Sequence, residues 1–345
     1  MAKFRRIGTT YFEYGDVRVR DRAEREREAV LETIVRAGDL RVDILLFQEL
    51  FGFVAFDRDS GSDLRRWVPA RPLSPSAPPK TTYPEVAIGL DDPYVRAVQA
   101  AAKAAGVNIV LPIVERDDDL AYNSLVPITA QGEILKLYRK MFPVPGEVPP
   151  GSDNAAIELA GVPVAFSICY DVHFDEVYQT ACDSGAKLVF WSSMWMGGRW
   201  LVARAVRYGF YIVSSTPNGS TFVDMDGTII AESPAIYPQT TGQANLIFED
   251  LNFDREVFHC NLASYPMTDS FGKLNKLVEV YGDRIKIKNR PQDSTCIIET
   301  LDPDLSIEDV KARFQLQSWH EYIAASTAQR NDELRRIRSR VAVGV

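Results

Sequence analysis

The chain has 345 residues, 46% of them hydrophobic and 25% charged, which is typical of a globular protein and excludes a disordered or fibrous chain. Its net charge of −8 argues against a nucleic-acid partner, which needs a basic face. No apolar run approaches the ~18 residues of a membrane span, and no secretory signal is recognisable at the N-terminus. We therefore expect a cytoplasmic protein with no membrane contact.

Metal and cofactor signatures are missing from the sequence as well. The four cysteines form neither a disulfide framework nor a CxxC pair, and the three histidines are scattered along the chain. No dinucleotide fingerprint or phosphate-binding loop is recognisable. The prediction is an enzyme-sized protein with no metal and no cofactor.

Hydrophobic periodicity predicts an α/β protein in which strands alternate with helices up to about residue 215. In chain order we expect a strand at 5–11, a helix at 21–37, strands at 42–47 and 107–114 around a helix at 93–105, a hairpin at 121–138, a strand at 161–168, a helix at 173–184, a strand at 187–191, a helix at 198–208, a strand at 210–215, and a hairpin that continues to 247.

Three segments have compositions of their own. The alternating charges of residues 24–28 are interpreted as the solvated face of the first helix. The proline-rich stretch 52–84 is either a surface arm without chemistry or a flap over a pocket. Residues 250–345 are expected to be irregular, with a short hairpin at 284–300 and a terminal helix at 318–340 that docks on its own core or on a second subunit.

Reactive side chains follow three predicted strands, where α/β sheets tend to place catalytic groups. Glu49 follows the strand 42–47, Lys140 follows the hairpin, and Cys169 follows the strand 161–168. Each is compatible with a plain structural role: a loop carboxylate, a surface charge and a small core residue. Together they match a base, an oxyanion partner and a nucleophile. Glu147 is the only carboxylate in the loop 139–151 and could also be a simple turn residue.

Three short motifs in order carry a family resemblance: Phe47-Gln48-Glu49, Leu137-Tyr138-Arg139-Lys140-Met141, and Ile168-Cys169-Tyr170-Asp171-Val172-His173-Phe174-Asp175-Glu176. Over about residues 4–250 the chain resembles the nitrilase superfamily of carbon–nitrogen hydrolases. The resemblance implies a four-layer α-β-β-α sandwich with two mixed β-sheets over residues 1–250. It also implies a homodimer or higher homo-oligomer, in which we expect the extension 251–345 to take part.

The resemblance further implies a Glu-Lys-Glu-Cys site made of Glu49, Lys140, Glu147 and Cys169. From the same motifs we predict as substrate-binding residues Tyr170, Trp191, Ser193 and Trp195. Tyr170 would contribute a backbone N–H to the oxyanion site, and the two tryptophans would form either a pocket wall or ordinary core.

The predicted reaction is hydrolysis of a small amide or carbamoyl compound through a thioester on Cys169. Tyr170-Asp171 after the nucleophile resembles amidases more than nitrilases of this superfamily. The alternatives are nitrile hydrolysis at the same site, acyl transfer, and a catalytically silent scaffold with the same fold. A Cys169–His173 dyad is a weaker alternative, since a catalytic histidine normally comes from a distant segment.

Overall fold

The protein is described from a computed structural model. The residues that it describes are 3–11, 19–53, 83–217, 219–233, 245–259 and 268–343. The chain divides into two compact units between Leu251 and Asn252, and each unit is described by itself. Most of the proline-rich stretch 52–84 lies outside the described residues.

The first unit contains two six-stranded mixed sheets and five helices among its described residues. The helices are α1 (Val19–Asp39), α2 (Tyr83–Val86), α3 (Pro93–Ala105), α4 (Asp175–Asp183) and α5 (Arg199–Tyr208). The strands are β1 (Phe4–Tyr11), β2 (Ile44–Leu46), β3 (Asn108–Asp117), β4 (Leu120–Ile128), β5 (Tyr138–Arg139), β6 (Ile157–Leu159), β7 (Val162–Ile168), β8 (Leu188–Ser192), β9 (Tyr211–Ser215), β10 (Thr221–Val223), β11 (Ile229–Glu232) and β12 (Asn245–Asn252).

The strand order is β12-β1-β2-β3-β4-β5 in the first sheet and β11-β10-β9-β8-β7-β6 in the second. Each sheet has a parallel triplet, β1-β2-β3 or β7-β8-β9, and antiparallel strands beside it. Helices α1 and α3 pack together on the first sheet, and α4 and α5 pack on the second. The predicted α-β-β-α sandwich is therefore confirmed.

Helix α3 shows how local sequence sets these elements. The side chain of Asp92 accepts the N–H of Tyr94 at 2.8 Å, and Pro93 occupies the first turn, where its missing N–H costs nothing. Gly106 ends the helix at φ +69°, a conformation that glycine adopts without strain. The buried face carries Val95, Val98 and Ala102 at helical spacing, and the helix has the bounds 93–105 that the sequence predicted.

The two sheets meet through small hydroxyl side chains between β1 and β9. Thr9 Oγ1 donates to the carbonyl oxygen of Ser214 at 2.7 Å, and Ser220 Oγ donates to the carbonyl oxygen of Thr10 at 2.8 Å. Ser192 Oγ likewise donates to the carbonyl oxygen of Phe47 at 2.8 Å. These bonds cross between the sheets and fix their register, which apolar packing alone would leave free to slide.

The predicted hairpin at 121–138 is wrong in its second half. The turn at Ala130-Gln131-Gly132 forms, and the N–H of Thr129 donates to the carbonyl oxygen of Glu133. Regular pairing with β4 then resumes only at Tyr138 and Arg139, after a single bridge between Ile128 and Ile134. Thr129 Oγ1 accepts the N–H groups of Gln131 and Glu133, and this local bonding competes with the ladder.

Two further predictions are corrected in this unit. The hairpin expected to continue to residue 247 ends at β11, because β12 pairs with β1 in the other sheet. The charged run 24–28 is only partly solvated: Glu26 is buried and accepts the N–H of Gly52 at 2.7 Å. The guanidinium of Arg27 lies over the rings of Phe53 and Tyr94. The first helix thus contacts the loop that follows Glu49 through these two side chains.

The second unit is more ordered than the irregular segment that we predicted. It contains a three-stranded antiparallel sheet in the order β13-β15-β14. Its elements are β13 (Arg255–His259), α6 (Thr268–Tyr281), β14 (Ile285–Arg290), β15 (Thr295–Thr300), α7 (Ile307–Phe314) and α8 (Trp319–Val343). The predicted hairpin at 284–300 corresponds to β14 and β15, and the predicted terminal helix to α8. Its core includes Phe258, Leu277, Ile298 and Val310.

Helix α8 docks on its own unit by its first turn only. The rings of Trp319 and Tyr322 stack on His259, with centroid distances of 5.9 and 3.5 Å. From Ile323 to Ser339 every side chain is exposed except the half-buried Leu334. The role in oligomerisation that we expect for residues 251–345 stays a prediction.

Candidate active site

Cys169 stands at a sharp turn directly after β7, where a short 3-10 helix, Cys169–His173, begins. Its backbone has φ +48°, a conformation that side-chain-bearing residues rarely adopt and that persists only where the surroundings hold it. The indole Nε1–H of Trp191 donates to the Cys169 carbonyl oxygen at 3.1 Å. The thiol is buried, and the side chain of Ser193 and the backbone of Met194 lie close enough to lower its pKa slightly.

Glu49 lies in the loop after β2 and is buried, with donors on both of its oxygens. Oε1 accepts Lys140 Nζ at 3.0 Å and Asn123 Nδ2 at 2.8 Å, and Oε2 accepts the backbone N–H of Met194 at 3.0 Å. The Met194 backbone and the Glu49 carboxylate both act on the pKa of the Cys169 thiol. The carboxylate and the sulfur therefore belong to the same site.

Lys140 follows β5 and is fully buried, not a surface charge. Its Nζ lies 3.0 Å from Glu49 Oε1 and 3.5 Å from Glu147 Oε2. Its backbone is fixed on both sides, because its N–H donates to the Asn123 carbonyl and its carbonyl accepts the N–H of Gly151. The structure therefore brings the three charged groups of the predicted site into one cluster.

Glu147 is buried and belongs to this cluster, so it is more than a turn residue. Its Oε2 accepts the N–H of Val144 at 3.1 Å, and its Oε1 accepts the hydroxyl of Tyr83 at 2.5 Å. Tyr83 lies near the end of the proline-rich stretch 52–84, where the described residues resume. The loop that carries Glu147 closes through Gly151, where a Cβ atom would lie 2.2 Å from the backbone oxygen of Arg139.

The charges of the cluster keep the resting thiol neutral. Burial, with the Glu49 carboxylate next in size, raises the pKa of the Cys169 thiol to about 12, against a smaller opposing effect of Lys140. Burial also raises the pKa of Glu49 above its usual range, although Lys140 opposes it. Burial alone would lower the pKa of Lys140, but Glu49 and Glu147 outweigh it and raise the value. A neutral thiol therefore faces a carboxylate of increased basicity and a fixed ammonium ion.

The four predicted substrate-binding residues occupy different environments. Trp191 is fully buried and braces the Cys169 backbone, and Ser193 is fully buried beside the thiol. Trp195 is half-buried and meets Trp191 edge to face at 5.7 Å. Tyr170 is 37% exposed. Contact of these residues with substrate stays a prediction.

His173 lies in a cluster of aromatic rings. Its imidazole stacks on Trp195 at 5.7 Å and meets the edges of Trp200 at 4.8 Å and Tyr170 at 5.2 Å. These contacts are those of a packed aromatic side chain. No hydrogen bond between His173 and Cys169 is found among the described residues, so the Cys169–His173 dyad gains no support.

Sequence reasoning missed three polar groups of the site. Asn123 bonds Glu49, Tyr83 bonds Glu147, and the backbone N–H of Met194 bonds Glu49. Asn123 lies in β4, 74 residues from Glu49 along the chain, and no local pattern in the sequence connects the two. In the described part of the chain, no group of three or more His, Cys, Asp or Glu is arranged to hold a metal ion. No described helix is long and apolar enough to cross a membrane.

Comparison with known proteins assigns a family to this chain. Residues 22–250 match the model of the carbon-nitrogen hydrolase family. A protein of Pseudomonas protegens described as "Hydrolase in pqqF 5'region" is 36% identical over 110 residues, covering 29% of this chain and 37% of that protein. A formamidase of Photorhabdus laumondii is 32% identical over 115 residues, covering 31% and 34%. The matched segment thus spans about a third of each of these relatives.

Solved structures share the fold at low identity. An amidase of the nitrilase superfamily from Nesterenkonia sp. AN1 aligns with a TM-score of 0.56 and 20% identity, covering 79% of this chain and 96% of the other. Nit3 of Saccharomyces cerevisiae, also of that superfamily, aligns with a TM-score of 0.53 and 16% identity, covering 73% and 91%. The chain belongs to the carbon–nitrogen hydrolase family, and the predicted nitrilase-superfamily membership is confirmed.

Proposed function

We propose that this protein hydrolyses the carbon–nitrogen bond of a small amide through a thioester on Cys169. The observation that carries the proposal is the buried cluster of Glu49, Lys140 and Glu147 beside a neutral thiol at a strained turn. Burying three charged groups costs free energy unless they are paired. Buried charged groups of this kind are also concentrated at functional sites. A cluster of this kind in a carbon–nitrogen hydrolase supports catalysis rather than a silent scaffold.

The first step forms the acyl-enzyme. Glu49 accepts the thiol proton as the sulfur of Cys169 attacks the amide carbonyl carbon. Because the pKa of Cys169 is raised to about 12, little thiolate exists at neutral pH and the proton transfer must accompany the attack. The N–H of Met194, together with Asn123 and Lys140, fixes the Glu49 carboxylate for this transfer.

The negative charge of the tetrahedral intermediate requires donors that are already in place. Lys140 supplies an ammonium ion held by two carboxylates, and the backbone N–H of Tyr170 follows the nucleophile. Donors of this kind lose no reorganisation energy during the reaction, and removing one costs about 10²–10³ in turnover in related acyl-transfer sites. We assign these two groups to the oxyanion.

The second half of the reaction returns the enzyme to its starting state. Glu49 passes its proton to the departing nitrogen, which leaves as ammonia or an amine as the C–N bond breaks. Glu49 then takes a proton from water, whose oxygen attacks the thioester and releases the carboxylic acid. The proton returns to the sulfur of Cys169. Glu147 holds the Lys140 ammonium ion in place throughout.

The relatives support an amide as the substrate class. One is a formamidase, and in another structure the Nesterenkonia amidase carries the acetamide moiety of fluoroacetamide covalently on its active-site cysteine. Small amides come first in our proposal for this chain, ahead of carbamoyl compounds and nitriles. The homo-oligomeric assembly and cytoplasmic location that we expect are part of the same proposal.

The test is release of ammonia from a panel of aliphatic amides, aromatic amides, N-carbamoyl amino acids and nitriles, with Cys169→Ala as the blank and Cys182→Ala as the matched control. Amide turnover that is lost only in Cys169→Ala supports the proposal, and mass spectrometry of the quenched enzyme should find the acyl group on Cys169. Turnover of nitriles alone would show that the substrates are nitriles and not amides. Silence across the panel with no acyl adduct would favour a scaffold.

A further inference from the structure

We propose that Asp171 is a positioning residue, whose carboxylate ties the segment that carries Lys140 to the turn that carries Cys169. The inference deepens the function proposed above and rests on it. Asp171 lies two residues after the nucleophile and is completely buried. The mechanism assigns it no proton and no contact with substrate.

The carboxylate receives three hydrogen bonds from two segments. Oδ2 accepts the backbone N–H of Ile168 at 2.8 Å and the hydroxyl of Tyr138 at 2.7 Å. Oδ1 accepts the backbone N–H of Phe142 at 2.7 Å. Ile168 immediately precedes the nucleophile, whereas Tyr138 and Phe142 lie 33 and 29 residues from Asp171 along the chain.

The positions of these donors along the chain connect the hydrogen bonds to the proposed reaction. Tyr138 and Phe142 stand two residues before and two residues after Lys140, so the carboxylate holds the lysine segment at both ends. Ile168 holds the other side of the bridge, next to Cys169. One side chain therefore sets the distance between the oxyanion partner and the nucleophile. A misplacement of about 1 Å between reacting groups can cost ~10²-fold in rate.

The backbone conformation of the nucleophile also supports a positioning role for Asp171. Cys169 has φ +48°, and such a backbone needs its surroundings to hold it. Asp171 fixes the peptide between Ser167 and Ile168 through the Ile168 N–H, and Trp191 fixes the peptide between Cys169 and Tyr170 through the Cys169 carbonyl oxygen. Hydrogen bonds therefore hold the turn on both sides of Cys169, and the one from Ile168 to Asp171 also connects the turn to the segment that carries Lys140.

An ionised carboxylate suits this task better than any amide. Burial raises the pKa of Asp171 to about 6, while Lys140 and the three donors oppose the shift. The group is therefore ionised at neutral pH and accepts on both oxygens. An asparagine has one acceptor oxygen and an NH₂ group, which would oppose the N–H of Ile168 or that of Phe142. This geometry gives the acid after the nucleophile a role other than choosing between amides and nitriles.

The experiment compares Asp171→Asn with the unmodified full chain by two readouts. The first is kcat and KM for the best amide of the panel; the second is the alkylation rate of Cys169 by iodoacetamide as a function of pH, followed on its own peptide by mass spectrometry. We expect kcat to fall about 10²-fold, KM to change less than about threefold, and the alkylation profile of Cys169 to change. Alkylation needs no turnover, so it tests the positioning role even if the proposed hydrolysis fails.

Two tyrosine variants serve as graded controls. Tyr138→Phe removes one of the three donors and keeps the ring, so we expect a smaller fall in kcat, about threefold to tenfold. Tyr178→Phe is the matched control, because Tyr178 is equally buried but its hydroxyl bonds Ser167 Oγ at 2.8 Å instead of Asp171. We expect it to leave kcat and the alkylation profile near those of the unmodified chain.

Two results would overturn the inference. The first is an Asp171→Asn protein that melts earlier but retains kcat and the alkylation profile, since this marks a purely structural residue. The second is an equal fall of kcat in Tyr138→Phe and Tyr178→Phe. If Asp171→Asn does not fold, Tyr138→Phe decides, because loss of one hydroxyl leaves the ring packing intact; unchanged kcat and alkylation there reject the inference.

Discussion

The hydroxyl of Tyr83 offers the sharpest test of how the charged cluster is held. Tyr83→Phe removes one oxygen from a buried ring and with it the 2.5 Å bond to Glu147 Oε1. A hydrogen bond to a charged group contributes about 1.5–3 kcal/mol. Because Glu147 retains the N–H of Val144 and the ammonium of Lys140, we take the lower end, about 1.5 kcal/mol. That corresponds to roughly a tenfold fall in kcat.

The assay is steady-state ammonia release at neutral pH, with thermal unfolding measured in parallel. Tyr94→Phe is the matched control, because its hydroxyl is buried and has no hydrogen-bond partner in the described part of the chain. Removing that hydroxyl should leave kcat unchanged and the melting temperature equal or higher. Equal kcat values in Tyr83→Phe, Tyr94→Phe and the unmodified chain would refute the argument that Tyr83 orients Glu147.

Three further predictions concern other parts of the site. Gly151→Ala should lower kcat and cost about 1–3 kcal/mol of unfolding free energy, because its Cβ would lie 2.2 Å from a backbone oxygen of β5; wild-type activity and denaturation midpoint would contradict it. Since burial raises the pKa of Glu49 and the base acts ionised, kcat/KM should decline on acidification with a midpoint above the ~4.3 of an ordinary glutamate; a profile flat down to pH 4 would exclude Glu49 as the base. Glu26→Gln should cost about 1 kcal/mol in urea unfolding, because the N–H of Gly52 loses a charged acceptor, whereas the exposed Glu24→Gln should be neutral; equal midpoints would contradict the buried role.

The strand ends were predictable because strand periodicity and chain order determine them. Glu49 and Cys169 each follow a short apolar run that forms a parallel strand, β2 of the first sheet and β7 of the second, and α/β sheets tend to place functional groups at such strand ends. The sequence could not show that Lys140 is buried, since a lysine after a strand is ordinarily exposed. Its burial depends on Glu49 and Glu147, which lie 91 and 7 residues away.

The missed features all depend on pairing between distant segments. Strand β12 has ordinary strand periodicity, so we predicted it as a continuation of the preceding hairpin. Its partner is instead β1, at the other end of the unit. Glu26 lies in an alternating charge pattern that indicates exposure, yet its carboxylate is buried and accepts the N–H of Gly52. Tyr83 lies 64 residues from Glu147. Tertiary contacts of this kind override local pattern.

The hydroxyl bonds between the two sheets have a consequence for the folding of this enzyme. Glu49 and Lys140 belong to the first sheet, and Cys169 belongs to the second. The seam of Thr9, Ser214 and their neighbours closes only when both sheets are formed and aligned. Before that alignment, the Cys169 thiol lies apart from the carboxylate of Glu49 and the ammonium ion of Lys140.

Strand β12 reinforces this order of events. It follows the second sheet in the chain but completes the edge of the first, so the first sheet is complete only when the segment after the second sheet has joined it. A chain with only one sheet folded therefore lacks this cluster, and under the proposed function it could not form the thioester on Cys169. The hydrolysis that we propose would depend on assembly of the whole unit.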